Sequence, residues 1–436
     1  MTTSPHVTRK SDWQAAILML MLAITAVVSR PLLPVDETRY MGVAWEMHQS
    51  GDWLVSHRNG EPYSDKPPLL FWLINLIWQV TGVAEYPARL VSPLAAVLCV
   101  LLTGQLARKL WPQRPDVGRC APFIHVSLFL WMFFSPVTMF DMLLTLFTLL
   151  TLSAVLDAAA GRGWRAWLWA GVVIGLGILA KGPVILVHTL PVTLAAPWWH
   201  PDIRLRLIRW YGGVLAALGI AASIGLSWAL PSAHSGGEEY AQDLLWGQTA
   251  GRVHDSFAHQ EPWWFYLPVL PLVLLPWVSV RKLWSSPVAV LSDPGNRFVI
   301  GWLGGTLLIL SLVSGKQAYY LLPALPAFAL LAASRFTTVN AEDPAGGFQP
   351  RDTGLLRWTG LLVALLPLLF NHVALFRRLR LDGLVSDWTV VPLFGVAIVL
   401  CRPAWRQPHR PVSSAVREIA VANVVFVCVL VAGLRS

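Results

Sequence analysis

Apolar residues in this chain come in runs of roughly 15–20, divided by short basic or polar punctuation, which is the pattern of helices that cross a bilayer. Stretches such as "AAILMLMLAITAVV" and "WLWAGVVIGLGILA" are apolar on every face. A soluble core would instead show one-sided helical periodicity or strand alternation. The runs predict spans at about 13–31, 88–107, 120–138, 140–158, 164–180, 183–199, 210–230, 262–280, 298–314, 319–335, 356–373, 388–401 and 416–434, about 13 crossings in all. The segment "PPLLFWLINLIWQVTG" (67–82) opens on a Pro-Pro break, is short and lacks a basic flank. It predicts a re-entrant or interfacial amphipathic helix within a long first loop, 32–87.

Composition agrees: 55% of the 436 residues are hydrophobic, 13% are charged and the mean hydropathy is +0.56. The fold class is therefore an all-α polytopic membrane protein. A net charge of +9 would suggest nucleic acid in a soluble protein, but the basic residues form no contiguous domain, which excludes that partner. Sorting loops by parity puts Arg9/Lys10, Arg108/Lys109/Arg114/Arg119, Arg162/Arg165, Arg204/Arg206/Arg209, Arg281/Lys282, Arg335/Arg351 and Arg402/Arg406/Arg410/Arg417 on one side. The positive-inside rule makes that side cytoplasmic. Counting 67–82 as a crossing would invert the pattern. The run after Arg9/Lys10 reads as an uncleaved first span rather than a signal peptide. The four cysteines, Cys99, Cys120, Cys401 and Cys428, show no paired spacing and read as packing residues.

Ionisable groups near lipid are expensive, so those gathered at the other ends of the spans are candidates for chemistry. They are Asp36, Glu37, Arg39, Lys66, Asp141, Lys181, Arg252 and Lys316. A helix starting near Glu37 would put Asp36 at its N-cap with Arg39 close by. Lys66 precedes Pro67-Pro68, Asp141 sits in a tight turn in "MFDML", and Lys316 precedes Tyr319/Tyr320. Lys181 in "AKGP" reads more readily as a helix-end marker. Carboxylates and cations around an outer cavity suit transfer from a lipid phosphate, with a carboxylate taking a hydroxyl proton and cations receiving the leaving phosphate. A transporter or flippase for a lipid-linked sugar is the competing reading of the same charges.

The string "DETRYMGVAWEMHQSGDWLVSHRNGEPYSDKPPLLFWL" resembles the first outer loop of membrane glycosyltransferases that use polyprenyl-phosphate sugars, the aminoarabinose lipid A transferase family and its protein mannosyltransferase relatives. "ARLVSPLAA", "LAKGPV" and "KQAYYLLPALP" carry the resemblance to about residue 335. It implies a type C glycosyltransferase fold, with a transmembrane catalytic module over 1–335 and loops 32–87 and 231–261 on the periplasmic side. Helices of 336–436 would follow, with no soluble C-terminal domain. It implies an inverting glycosyltransferase in the bacterial inner membrane, its active site facing the periplasm. The donor would be an undecaprenyl-phosphate sugar and the acceptor a lipid, glycan or protein.

Residue by residue, the resemblance makes Asp36 the catalytic base, with Glu37 and Asp141 in the catalytic set. Arg39, Tyr40, Lys66, Arg252, Lys316 and Tyr320 become the substrate-binding groups. No cofactor is required. A divalent metal is left open, because the family has Glu where this chain has Asp65, which could ligate together with His57, His254 or His372.

Overall fold

The computed structural model describes residues 5–251, 260–285, 290–338 and 411–433, together with 348, 352 and 354. Among these, eight helical stretches are long and apolar enough to span a membrane: Arg9–Ser29, Glu85–Leu110, Phe140–Ala159, Trp164–Leu194, Pro201–Gly236, Pro294–Leu312, Ala318–Phe336 and Val412–Ala432. The expected spans 356–373 and 388–401 lie outside the described residues.

The first helix, α1 (Pro5–Ser29), leads into α2 (Asp36–Ser50), which starts one residue before the expected Glu37, so that Val35 and not Asp36 is the N-cap, and ends on Gly51 with φ 68°. That left-handed residue ends the helix, its N–H returning to Met47 O at 3.1 Å. A small hairpin, β1 (His57–Arg58) with β2 (Glu61–Pro62), follows. Its turn is held by the Glu46 carboxylate, which accepts from the N–H groups of Asn59 (2.6 Å) and Gly60 (3.0 Å). Next comes α3 (Leu69–Thr81), 13 residues or about 20 Å long, too short to cross. It packs on α2, where buried Asn75 donates to Ala44 O at 3.0 Å.

The short α4 (Glu85–Arg89) then feeds α5 (Val91–Leu110). The expected continuous span 120–138 is instead two helices, α6 (Pro115–Val126) and α7 (Phe129–Phe134). Ser127 makes the break: its hydroxyl donates back toward Phe123 O (2.6 Å), and it accepts the indole N–H of Trp277 at 3.0 Å. The long pair α8 (Phe140–Ala159) and α9 (Trp164–Lys181) come next. After Gly182, at φ 78°, the chain turns through Gly182–Val184 into α10 (Ile185–Leu194) and α11 (Ala196–Trp199).

The 30-residue α12 (Leu207–Gly236) packs along α9, and α13 (Glu238–Gln242) follows it. The expected span 262–280 is likewise broken. Only α14 (Tyr266–Val273) is regular there, because Pro262, Pro268, Pro271 and Pro276 interrupt the backbone ladder. The described bundle closes with α15 (Pro294–Leu312), a 3₁₀ turn at Ala318–Ala324, α16 (Leu325–Phe336) and α17 (Val412–Gly433).

Small residues allow close helix contact between α9 and α12. On α9, Gly171 faces Ala217 of α12 so tightly that an added Cβ would lie 2.8 Å from the Ala217 carbonyl oxygen, while Gly212 of α12 has open space around it. Close backbone approach is how membrane helices gain dispersion energy when lipid supplies no hydrophobic drive. Gly171→Ala should therefore destabilise by about 1–3 kcal/mol through overpacking. Gly212→Ala, with the same gain in helix propensity, should not lower stability. Thermal unfolding of both variants in detergent checks this, and equal midpoints would remove the packing argument.

Candidate active site

Among the predicted charges, Asp36, Glu37, Arg39, Asp141 and Lys181 gather at one end of the bundle, where α1 ends, α5 and α8 begin and α9 ends. At its edge Asp36 is partly open, its side chain 39% exposed. It accepts from Arg39 Nη2 at 2.5 Å and from the Tyr40 hydroxyl at 3.3 Å. The Arg39 guanidinium lies 5.1 Å from the centre of the Tyr40 ring. Burial, helped by the Asp36 charge, pushes the Tyr40 phenol up, so it stays a proton donor to the carboxylate. Tyr63, just after the hairpin, lies within electrostatic reach of both Arg39 and Tyr40.

The Tyr40 ring also joins the two halves of the site. It meets Phe140 edge-on, ring centres 4.8 Å apart, and Phe71 of α3 packs on both. Phe140 immediately precedes Asp141. That carboxylate is buried and paired with Lys181 Nζ at 2.6 Å. The Lys181 ammonium in turn lies 5.3 Å from the Tyr319 ring and 5.2 Å from the Tyr320 ring. Tyr319 is within electrostatic reach of Asp36 and Tyr40 as well as Asp141. Lys181, counted among the candidate charges but read as a helix-end marker, is thus a member of the cluster, and Tyr319 joins it without having been given a role from the sequence. Their signal was present in "LAKGPV" and in the tyrosine pair, but spacing alone could not show that Lys181 reaches back to Asp141.

Two expected site residues take other roles. Glu37 is fully buried, and its two oxygens accept four bonds: two from the Arg30 guanidinium (Nη1 to Oε2, Nη2 to Oε1 at 3.2 Å), one from Leu33 N–H (2.9 Å) and one from Thr138 N–H (2.8 Å). All its lone-pair positions are used, so it positions the site and is not free to take a proton. Burial works against its charge, yet the Arg30 guanidinium and the two backbone amides hold its carboxyl below the usual range. Lys316 is buried too. It donates to three carbonyls, Val313 O (2.6 Å), Glu261 O (2.8 Å) and Ser314 O (3.5 Å). It pins residue 261 to the end of α15 instead of facing an outer cavity.

Lys66 is half-buried ahead of Pro67, with its ammonium 3.2 Å from Asp65 O. Arg252 lies outside the described residues, as do His254 and His372. Among the described residues no group of three or more His, Cys, Asp or Glu side chains gathers to hold a metal ion, and Asp65 joins none.

Comparison with known proteins places this arrangement. Residues 65–228 match the family model described as dolichyl-phosphate-mannose-protein mannosyltransferase. The undecaprenyl phosphate-alpha-4-amino-4-deoxy-L-arabinose arabinosyl transferase of Pseudomonas paraeruginosa (strain DSM 24068 / PA7) is 31% identical over 413 residues, covering 92% of this chain and 73% of the relative. The chain belongs to the aminoarabinose arabinosyl transferase family.

Its match to a second such transferase, from Pseudomonas fluorescens (strain Pf0-1), is 33% identical over 306 residues, but spans only 54% of that relative's length. The crystal structure of ArnT from Cupriavidus metallidurans bound to undecaprenyl phosphate superposes with a TM-score of 0.76 at 19% identity, covering 96% of this chain and 76% of that one. The fold is the type C glycosyltransferase fold of that transferase, and the protein is a multi-pass membrane protein.

The Glu37 clamp gives a pH prediction. Because its folded carboxyl sits below the ordinary value of 4.5, its stabilisation is complete above that pH and is lost as pH falls through the folded value. Glu37→Gln should cost about 3 kcal/mol at pH 7, the scale for breaking a buried pair, and less as the pH drops below 4.5. Urea or thermal unfolding at the two pH values measures it. A penalty independent of pH would refute the ionised clamp.

Proposed function

We propose that the protein transfers a sugar from an undecaprenyl-phosphate-linked donor to a lipid, glycan or protein acceptor, by one inverting displacement at the periplasmic face of the bacterial inner membrane. The observation that carries this reading is the continuity of the Asp36–Arg39–Tyr40 cluster with the Asp141–Lys181 pair through Tyr40 and Phe140 at one end of the bundle. Relatives named for transfer from undecaprenyl phosphate aminoarabinose support the donor class. The basic residues at the opposite end of the helices support a periplasmic site.

In this mechanism Asp36 accepts the proton of the acceptor hydroxyl as its oxygen bonds to the anomeric carbon. The bond from that carbon to the phosphate oxygen breaks on the opposite side, and undecaprenyl phosphate leaves with the electron pair. Arg39, Lys66 and Arg252 receive the growing negative charge. Tyr40, kept protonated, holds the Asp36 carboxylate in place. Asp141, neutralised by Lys181, orients the acceptor. Lys181 is held from the far side by the Tyr319 and Tyr320 rings, a cation–π contact that strengthens where water is excluded.

Reconstituted protein supplied with a radiolabelled undecaprenyl-phosphate sugar tests the reading. Asp36→Asn should lower transfer to a hydroxyl acceptor by about 10²–10⁴, the usual worth of general-base help. The loss should be smaller on an acceptor that is already an ionised phosphate. Lys66→Ala should lower turnover while the variant remains folded by circular dichroism. Equal activity in wild type and both variants would remove the assignment.

A further inference from the structure

The end of the bundle remote from Asp141 carries a second concentration of unused chemistry. Asp141 lies in the first turn of α8 and Lys181 ends α9, so the start of α9, 17 residues away, lies about 26 Å from their ion pair. There a cleft between α9 and α12 is lined by Gly163, Trp164, Trp167, Arg206, Arg209 and Trp210.

The α9 helix begins at this cleft with no side-chain cap and no acidic residue in its first turn, while α12 enters it directly from a 3₁₀ turn over Pro201–Arg206. Arg206 is the residue preceding α12 and Arg209 lies in its first turn, where positive charge opposes the helix dipole. Such an arrangement is favourable once an anion sits between the amide groups and the guanidinium groups. The neighbouring carboxylates do not fill that role. Asp157 is paired with Lys109 (2.7 Å) and Arg162 (3.3 Å), and exposed Asp202 faces His200.

Donors remain unspent in the cleft. Arg209 has no hydrogen bond or ion pair among the described residues, and Arg206 uses Nη2 on Ala159 O (2.5 Å) while its buried Nε has no partner. Trp167 is 93% buried, and its indole N–H, set against Gly213, also has no acceptor among the described residues. Exposed Trp164 stands at the cleft's rim, as tryptophans do at headgroup depth.

We propose that this cleft binds the phosphate of an anionic phospholipid in the leaflet opposite the proposed active site. Arg206 and Arg209 grip the phosphate oxygens, and the tryptophans line the glycerol and upper acyl chain. Basic clefts between membrane helices select anionic headgroups in this way.

Native mass spectrometry of the full chain in detergent, titrated with dioleoylphosphatidylglycerol, dioleoylphosphatidylcholine or inorganic phosphate, tests it. The double variant Arg206→Gln/Arg209→Gln should bind phosphatidylglycerol about tenfold to thirtyfold more weakly, the expectation for two arginines near a charged headgroup. The single variant Arg209→Gln, which removes no hydrogen bond seen among the described residues, should lose about fivefold and guards against a folding artefact. Arg165→Gln/Arg204→Gln removes the same charge outside the cleft and should leave binding unchanged. Equal losses in the two double variants, or equal binding of the zwitterionic lipid, would overturn the proposal. Inorganic phosphate that binds at this cleft and displaces phosphatidylglycerol would overturn the lipid assignment in favour of a soluble anion.

Discussion

The buried Glu37 carboxylate fixes the geometry on which the rest of the site depends. It draws together the end of α1 through Arg30, the corner into α2 through Leu33 N–H, and the turn before α8 through Thr138 N–H. Arg30 adds a bond to Pro136 O at 3.1 Å, and buried Arg89 reaches Arg30 O at 3.0 Å while pairing with Glu85. Asp36 and Asp141 are each within a few residues of this knot. Their separation is therefore set by a charged core that has little freedom to relax, which suits a site that must hold two substrates in register.

The same cost of burying charge organises the other end of the bundle, with a different result. There Asp12 on α1 makes a two-point contact with Arg108 of α5 (3.1 and 2.6 Å), and Gly104 leaves room for that carboxylate. Lys109 ties α5 to Asp157 of α8, and Trp111 with Arg114 engages Asp293 ahead of α15. These pairs stitch neighbouring helices at the headgroup level, and few of them leave a carboxylate open to a reactant. At the opposite end, by contrast, Asp36 keeps one carboxylate oxygen without a contact.

Much of this was legible in the sequence because hydropathy runs and charge parity are one-dimensional signals. A helix beginning within a residue of Glu37, the short non-crossing α3, and the gathering of Asp36, Arg39 and Asp141 at one end all follow from run length and sign of charge. What was not legible depends on contacts between distant segments. Glu37 and Asp36 are adjacent acids in the sequence, and only the position of Arg30, Leu33 and Thr138 consumes one of them. Lys181 looks like a helix-end marker until Asp141, 40 residues earlier, is seen opposite it. The break at Ser127 is equally hidden, since hydropathy does not register a side chain that competes for backbone partners, whereas the four prolines in 262–280 were on view and run length alone passed over them.

The two remaining acids can be told apart by their access to solvent. Asp141 is 1% exposed and holds Lys181 at 2.6 Å, which fixes it in place. Asp36 is partly open to solvent, and its contacts with Arg39 and Tyr40 fall on Oδ1, so Oδ2 is spared. A base needs that spare lone pair on the accessible side, whereas a residue that orients an acceptor benefits from being locked. The proposed division of labour, Asp36 as base and Asp141 as orienting group, then rests on that difference in exposure, a distinction that residue type alone could never supply.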